Sequence, residues 1–183
     1  MSRTTPPGYP AAYELSIRLV DGRQVELAPI VPADAAELAA AIRSADTETL
    51  HARFLGSPPP LTPAVLDGLT RLDYVHRFAI VARSGGHGVA IARYAALPPS
   101  QDGTVAAEIA VAVAIGWRRA GLATALVEVL ARRARECGIS HFTALFLASN
   151  RPVTELARVG RASVVITNGA AELFAALLAR DDD

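Results

Sequence analysis

Residues 116–123 read Gly-Trp-Arg-Arg-Ala-Gly-Leu-Ala and separate two different hydrophobic patterns. Residues 105–115 before them form a long apolar run typical of a strand, and residues 124–137 after them have the spacing of an amphipathic helix that ends at Gly138. A loop between a strand and a helix N-terminus is a ready anion site, because unpaired backbone N–H groups and the positive end of the helix dipole point outward there. At Gly121 no side chain prevents a phosphate group from approaching the backbone.

Two other phosphate-binding motifs do not fit this loop. The phosphate loop of nucleotide hydrolases requires a lysine, and the chain contains no lysine. A dinucleotide-binding fingerprint requires Gly-x-Gly-x-x-Gly directly after a first strand, and the loop has neither that spacing nor that position. A tight strand-to-helix connection without a ligand is the plainer alternative.

Length and composition limit the class of protein. The 183 residues, 51% of them hydrophobic, are within reach of a single domain with one core. The 18 basic and 18 acidic residues balance, so no general electrostatic argument favours a nucleic acid or an anionic membrane as partner. The single cysteine cannot form an internal disulfide, and the four histidines lack metal-ligand spacing, so we expect no metal. No signal peptide or membrane helix is evident, which predicts a cytoplasmic protein, and the alanine-rich, lysine-free composition is typical of a GC-rich bacterial genome.

The remaining pattern predicts one domain over residues 13–180, preceded by a flexible tail over residues 1–12, which contain three prolines and no apolar period. Alternating apolar residues predict two hairpins, formed by residues 14–19 with 25–30 and by residues 78–82 with 89–94. Helical patterns occupy residues 35–42, 44–54 and 62–72.

The loop resembles the signature of the GNAT (GCN5-related N-acetyltransferase) superfamily. Arg118-x-x-Gly121-x-Ala123 matches the superfamily's Gln/Arg-x-x-Gly-x-Gly/Ala motif, whose backbone amides hold the pyrophosphate of coenzyme A. Further segments are similar, in chain order, to the acetyltransferase domain of bacterial protein lysine acetyltransferases, namely residues 73–74, 88–94, 107–113 and 150–152. The resemblance covers roughly residues 15–178.

This resemblance implies an α/β (α+β) fold with a mixed, mostly antiparallel sheet of about seven strands and helices on both faces. The sheet should be splayed between the strand bearing Glu108 and the strand at Phe142, so that the cofactor arm fits between them. The last segment is ambiguous, because residues 170–178 have high helix propensity whereas residues 163–166 followed by Asn168-Gly169 indicate a hairpin. The resemblance favours a closing strand pair.

The resemblance also implies acetyl-CoA as co-substrate. The residues expected to contact it are Val111, Ala112, Val113, Arg118, Arg119, Ala120, Gly121, Leu122, Ala123, Thr124 and Asn150. For the two arginines the expectation concerns the main chain, since their side chains can equally be solvated. Asn150 can also cap a helix that begins at Arg151-Pro152, and on physical grounds alone this alternative is as good.

Glu108 is the expected catalytic base. Acyl transfer to an amine needs a neutral nucleophile, and a lysine with a pKa of ~10.4 is about three units from neutrality, a cost of roughly 4 kcal/mol. A buried carboxylate beside the thioester, with its pKa raised toward ~6–7, can accept the proton directly or through a water. The strand from Glu108 to Gly116 spans about 25 Å, comparable to an extended pantetheine arm with its acetyl group. In the similar protein acetyltransferases a glutamate at the matching position is this base; the alternative is a structural pair with an arginine such as Arg93.

The chain departs from the superfamily pattern where a tyrosine often protonates the leaving thiolate. That position, seven residues beyond Asn150, is Ala157, so the general acid is unassigned. Three functions therefore stay open: an acetyltransferase acting on protein lysines, which we favour, an acetyltransferase acting on a small amine or antibiotic, and a non-catalytic CoA-binding sensor or interaction domain. The acceptor, the oligomeric state and any regulation are not determined by the sequence.

Overall fold

A computed structural model describes residues 4–46, 50, 60–159, 162–167 and 170–177 of the chain. Its strands are β1 (Leu15–Arg18), β2 (Gln24–Pro29), β3 (Arg77–Ser84), β4 (His87–Ala96), β5 (Ala106–Val113), β6 (His141–Leu147), β7 (Ser163–Thr167) and β8 (Ala170–Ala176). Its α-helices are α1 (Ala35–Ser44), α2 (Pro63–Thr70), α3 (Leu122–Glu136) and α4 (Arg151–Val159). Short 3-10 turns occupy Ala11–Tyr13, Pro32–Asp34 and Ile115–Trp117. The helical pattern expected over residues 44–54 lies largely outside the described residues.

The strands of the described chain form one eight-stranded sheet in the order β1-β2-β3-β4-β5-β6-β8-β7. Every neighbouring pair is antiparallel except β5 and β6, which are parallel. The mixed, mostly antiparallel sheet expected from the sequence is thus confirmed, with eight strands instead of about seven. None of the helices within the described ranges is both long enough and apolar enough to cross a membrane.

Local sequence explains the hairpins. Gly22, with a φ of 87°, lies in the turn between β1 and β2, and Gly85 and Gly86, with φ of 56° and 81°, form the turn between β3 and β4. The closing hairpin of β7 and β8 is also present. In β8 the side chains of Ala171 and Leu173 are buried, so tertiary packing outweighs the high helix propensity of this segment.

The main hydrophobic core lies between the sheet and α3. Leu122, Leu126 and Leu130 recur every four residues on α3 and are fully buried, as the helical period requires for a face packed on a sheet. Phe78 and Tyr94, on β3 and β4, belong to the same core, with their rings 5.8 Å apart. The start of α3, and with it the preceding loop, is therefore held firmly against the sheet.

The sheet opens between β5 and β6. The two strands pair at three positions, Ala106↔His141, Ala107↔Phe142 and Glu108↔Thr143. Beyond these positions β5 runs to Val113 and β6 to Leu147, and no further pair joins the two described strands. This confirms the splay expected between the strand bearing Glu108 and the strand at Phe142.

Packing begins earlier along the chain than the sequence pattern predicted. The ring of Tyr9 packs edge-on against Tyr74 at 5.8 Å, and its hydroxyl donates to a Glu14 carboxylate oxygen at 2.6 Å. Tyr13 is buried in the main core. The segment expected to be a flexible tail up to residue 12 is thus anchored from Tyr9 onward, because two aromatic residues outweigh the proline-rich composition around them.

Candidate functional site

The loop before α3 presents a row of backbone N–H groups. Among the described residues, none of the N–H groups of residues 119–124 donates to a protein acceptor, and the N–H of Ala125 is the first to bond back, to the Gly121 carbonyl at 3.0 Å. Arg119 and Gly121 have left-handed backbones, with φ of 63° and 80°. Such a backbone curls successive N–H groups into a concave nest, and the positive end of the helix dipole adds to its attraction for anions. The loop is therefore built to hold an anionic group.

The two arginine side chains of the loop differ. The Arg118 Nε donates to the Val113 carbonyl at 3.3 Å, and its Nη2 lies 3.9 Å from an Asp46 carboxylate oxygen. This side chain fastens the loop to the end of β5 and is not a solvated surface arginine. The Arg119 side chain is exposed.

The turn between β1 and β2 braces the loop from outside. The Arg23 guanidinium lies 4.0 Å from the centroid of the Trp117 ring, and its Nη1 donates to the Gly116 carbonyl at 2.8 Å. An ion pair of 2.6 Å with Asp21 holds the guanidinium in place, and the Val20 N–H donates to the Ala120 carbonyl at 3.4 Å. No sequence signal marks Arg23 as a site residue, because 93 positions separate it from Gly116.

The expected cofactor residues of β5 divide between its two faces. Ala112 lines a cavity under α1, Val111 packs against the main core, and Val113 contacts both. Beyond Glu108, the edge of β5 that faces β6 has no strand partner in the described chain, while the other edge stays paired with β4. The main-chain donors and acceptors of the edge that faces β6 are thus available to an extended ligand in the opening, which resembles the way a strand pairs with a sheet edge.

Glu108 occupies the last paired position before β5 and β6 separate, and its side chain is exposed. The expectation of a buried carboxylate is therefore wrong, because no element of the described chain covers this side chain. The alternative of a structural ion pair is not observed either, since no ion pair joins Glu108 to Arg93 in the described part of the chain. Glu108 is instead an exposed carboxylate at the mouth of the opening.

Asn150 caps α4. Its side-chain oxygen accepts from the Val153 N–H at 3.4 Å, and its carbonyl accepts from the Thr154 N–H at 3.1 Å. The cap interpretation is confirmed, and a contact with a cofactor stays a prediction. Ala157, at the position of the missing tyrosine, is buried in a small core between α4 and the strands β6 and β8. This position faces the core and offers no proton donor.

The segment Asp73-Tyr74, similar to the superfamily in sequence, has a structural role. One Asp73 carboxylate oxygen accepts from three backbone N–H groups at 2.7 to 2.9 Å. Burial alone would raise the pKa of Asp73, but these donors hold it below its ordinary value. Tyr74 is buried, its hydroxyl donates to the Ile30 carbonyl at 2.9 Å, and its own carbonyl accepts from Arg133. The imidazole of His76 is exposed, with its Nδ1 3.9 Å from an Asp73 carboxylate oxygen.

A cavity of about 420 Å³ lies between α1 and the strands β3 to β5. Its walls are mostly apolar and include Leu38, Ile91, Ala110 and Ala112. It runs along β5 between Ala110, two residues from Glu108, and the start of the loop. This volume is within the range of small-molecule sites.

The polar end of the cavity is an internal ion-pair cluster. The Arg83 Nη2 lies 3.1 Å from Asp34 and 2.7 Å from Glu37, and Glu37 also accepts from the Gly88 N–H at 2.8 Å. Burial opposes the charge of Arg83, but its two partners raise its pKa above the ordinary value. Within the described residues no group of three or more His, Cys, Asp or Glu side chains could hold a metal ion.

Known proteins similar to this chain identify the fold. The family described as "Acetyltransferase (GNAT) family" matches residues 44–160. The chain belongs to the GNAT family. A curated relative, Acetyltransferase PA5475 of Pseudomonas aeruginosa, is 33% identical over 142 residues, which cover 75% of this chain and 74% of that protein.

Solved structures agree with this assignment. The GNAT domain of S. lividans PAT is 28% identical and superposes with a TM-score of 0.83 over 92% of this chain and 99% of that one. Salmonella typhimurium yncA, solved with its cofactor acetyl-CoA, is 17% identical, with a TM-score of 0.69 over 87% of this chain and 97% of that one, and shows the fold alone. This GNAT protein is therefore an acyltransferase that acts with acetyl-CoA.

Proposed function

We propose that this GNAT acetyltransferase transfers the acetyl group of acetyl-CoA directly to a lysine side chain of another protein, with Glu108 as the general base. The observation that carries the proposal is the position of Glu108, exposed where β5 and β6 separate. A lysine projecting from a folded protein can reach an exposed carboxylate, whereas a base inside a closed pocket serves only small amines. Docking of the acceptor would then exclude water from Glu108.

Several groups of the chain would hold acetyl-CoA. The free N–H groups of residues 119–124 fit the pyrophosphate, because they form a concave nest at the positive end of α3. The unpaired edge of β5, including Val111, Ala112 and Val113, supplies main-chain partners for the extended arm, and Asn150 lies beyond β6 on the other side of the opening. Bound acetyl-CoA supplies the activated acyl carbon.

The chain's chemical contribution is proton removal. The Glu108 carboxylate accepts a proton from the lysine ammonium, directly or through a water, and the freed nitrogen lone pair forms the new C–N bond as the C–S bond breaks. The acylated nitrogen then loses its second proton to solvent, and the leaving sulfur takes a proton from solvent, since Ala157 carries no donor. In this scheme Glu108 acts on the amine and makes no contribution to cofactor affinity.

A second candidate acceptor is a small amine with an apolar body, which is favoured by the cavity under α1. Its volume of about 420 Å³ and its apolar walls fit such a molecule, and it reaches Ala110 beside Glu108. Ala110→Leu would narrow the cavity at the end nearest Glu108. The substitution should weaken turnover of a cavity-bound amine far more than turnover of a protein lysine docked outside.

The decisive experiment compares acceptors. Release of free thiol from acetyl-CoA is measured with panels of proteins, lysine peptides and small amines, and modified lysines are mapped by mass spectrometry. Because the chain has no lysine, every acetyl-lysine detected belongs to the acceptor. Faster turnover of a small amine, abolished by Ala110→Leu, would overturn the protein acceptor. Thermal stabilisation by acetyl-CoA without thiol release on any acceptor would overturn catalysis.

A further inference from the structure

The outer edge of the sheet at β7 is apolar on both faces. Val164, Val165 and Ile166 follow one another in this strand and are 37%, 64% and 64% exposed. Consecutive side chains of a strand point to opposite faces, so neither face of β7 is fully covered by the described residues. Val164 pairs with Leu173, and both side chains lie on the face of the sheet that α4 covers. Val165 pairs with Glu172 on the opposite face.

This edge has none of the usual chemical protection against pairing with another strand. Natural edge strands are charged, bulged or interrupted by proline, or are very short; β7 is short, with five residues, but it contains no charge and no proline, so the chemical protections are missing. The opposite edge, β1, is a useful contrast. Its exposed residues are Ser16 and Arg18, while Leu15 and Ile17 pack against the main core. The β1 edge is therefore protected against pairing with another strand, whereas the β7 edge is not.

The sequence of β7 is nearly symmetric about its central residue, so two antiparallel copies place similar side chains opposite one another. In Ser-Val-Val-Ile-Thr, an antiparallel copy centred on Val165 sets Val165 opposite Val165 and Val164 opposite Ile166. In an antiparallel ladder alternate residues direct their N–H and C=O groups outward, and either alternate set of β7 is symmetric about Val165. Opposed β-branched side chains stabilise such a pair.

We infer that β7 is a two-fold interface through which two copies of this chain join their sheets edge to edge, with β7 antiparallel to β7. A second copy fits better than an unrelated strand because every cross-strand pair of the central three residues is aliphatic and the contact closes on itself. The strand is short, so the interface falls at the small end of specific interfaces. We therefore expect the dimer to be weak and reversible.

Substitution at the two-fold centre tests this arrangement. Val165→Arg and Val165→Glu each place like charges opposite one another, so each variant alone should raise the dimer dissociation constant by at least ~10-fold. An equimolar mixture of the two variants places opposite charges together and should restore a dimer. Val20→Arg is the matched control, because Val20 is 84% exposed but lies at the far end of the strand order.

The measurement is sedimentation equilibrium over a range of concentrations, with circular dichroism to verify folding. Glu172 lies beside Val165 on β8, so the arginine variant gains a partner within its own chain and should fold at least as stably as the parent. A parent chain that stays monomeric throughout would overturn the interface. So would a Val165→Arg dimer as tight as the parent's, or growth into higher oligomers, which a closed two-fold contact excludes.

Discussion

The exposed carboxylate of Glu108 should allow chemistry to be separated from cofactor binding. Glu108→Gln keeps the size of the side chain but removes the proton acceptor, so we expect turnover to fall by ~10²–10⁴ while acetyl-CoA affinity stays within a few-fold. The loss should shrink as the pH rises toward the pKa of lysine, ~10.4, because solvent then supplies the neutral amine. Steady-state kinetics from neutral to alkaline pH measure both effects.

The matched control for this prediction is Glu172→Gln, which removes another exposed glutamate from the same region of the sheet. It should leave turnover and its pH dependence unchanged. Parental turnover of Glu108→Gln at neutral pH would remove Glu108 as the base.

Gly121 tests the anion nest. Gly121→Glu should abolish coenzyme A binding, because its φ of 80° is unfavourable for a side chain and the added carboxylate repels the pyrophosphate. Gly138→Glu imposes a similar backbone penalty, at a φ of 77°, beyond the other end of α3. It should lower stability but leave binding intact. Calorimetry on both folded variants decides, and undiminished affinity of Gly121→Glu would exclude the loop as the phosphate site.

At the scale of elements, the turn between β1 and β2 contacts the loop before α3. This contact predicts an effect on the affinity for acetyl-CoA alone. Arg23→Met removes the stacking on Trp117 and the bond to the Gly116 carbonyl. We expect the KM and Kd for acetyl-CoA to rise ~3- to 10-fold with little change in kcat, because the loop loses its brace and no reacting group is touched.

The fluorescence of Trp117 reports directly on the contact between the turn and the loop, since Trp117 is the only tryptophan of the chain. Its emission should change on coenzyme A binding in the parent and should already differ in unliganded Arg23→Met. Arg18→Met, which removes an exposed arginine from β1, is the control and should have parental emission. An unchanged Kd together with changed emission would mean that the turn contacts the loop without supporting its function.

The elements differ in how far sequence alone could predict them. The two early hairpins and the loop before α3 follow from local turn and helix signals, and the structure has all three. The brace from Arg23 could not be predicted, because it depends on how distant segments fold together. The exposure of Glu108 could not be predicted either, since it depends on which elements cover this face of β5 in the folded chain. For residues 170–176 local helix propensity indicated the wrong element, and only burial against α4 and β6 makes them a strand.

At the scale of the molecule, two hydrophobic clusters meet at a narrow join. The main cluster includes Phe142, whereas Phe146 belongs to a smaller cluster with Ala157, Ala171 and Leu173. The strand β6 therefore passes from one cluster to the other between Phe142 and Phe146. Three residue pairs between β5 and β6 connect the corresponding halves of the sheet.

Hydrogen exchange should detect this division. Without coenzyme A, amides of β6, β8 and α4 should exchange at least ~10-fold faster than those of β3 and β4, because fewer buried contacts hold them. Saturating coenzyme A, which in the proposed binding mode contacts both sides of the opening, should slow exchange mainly in the smaller half. Gly121→Glu should lack this protection. Uniform exchange in both halves would mean that the sheet opens and closes as one unit.

The narrow join has a consequence for how distant substitutions act. If the smaller half must be ordered to close around acetyl-CoA, the apparent dissociation constant equals the intrinsic one divided by the fraction of molecules in which that half is ordered. Phe146→Ala leaves a cavity in the small cluster and contacts neither the loop nor Glu108, yet it should weaken acetyl-CoA binding while the main thermal transition hardly moves. Affinity for the coenzyme thus becomes a property that selection can tune through the packing of a satellite core, without altering a single group that touches the ligand.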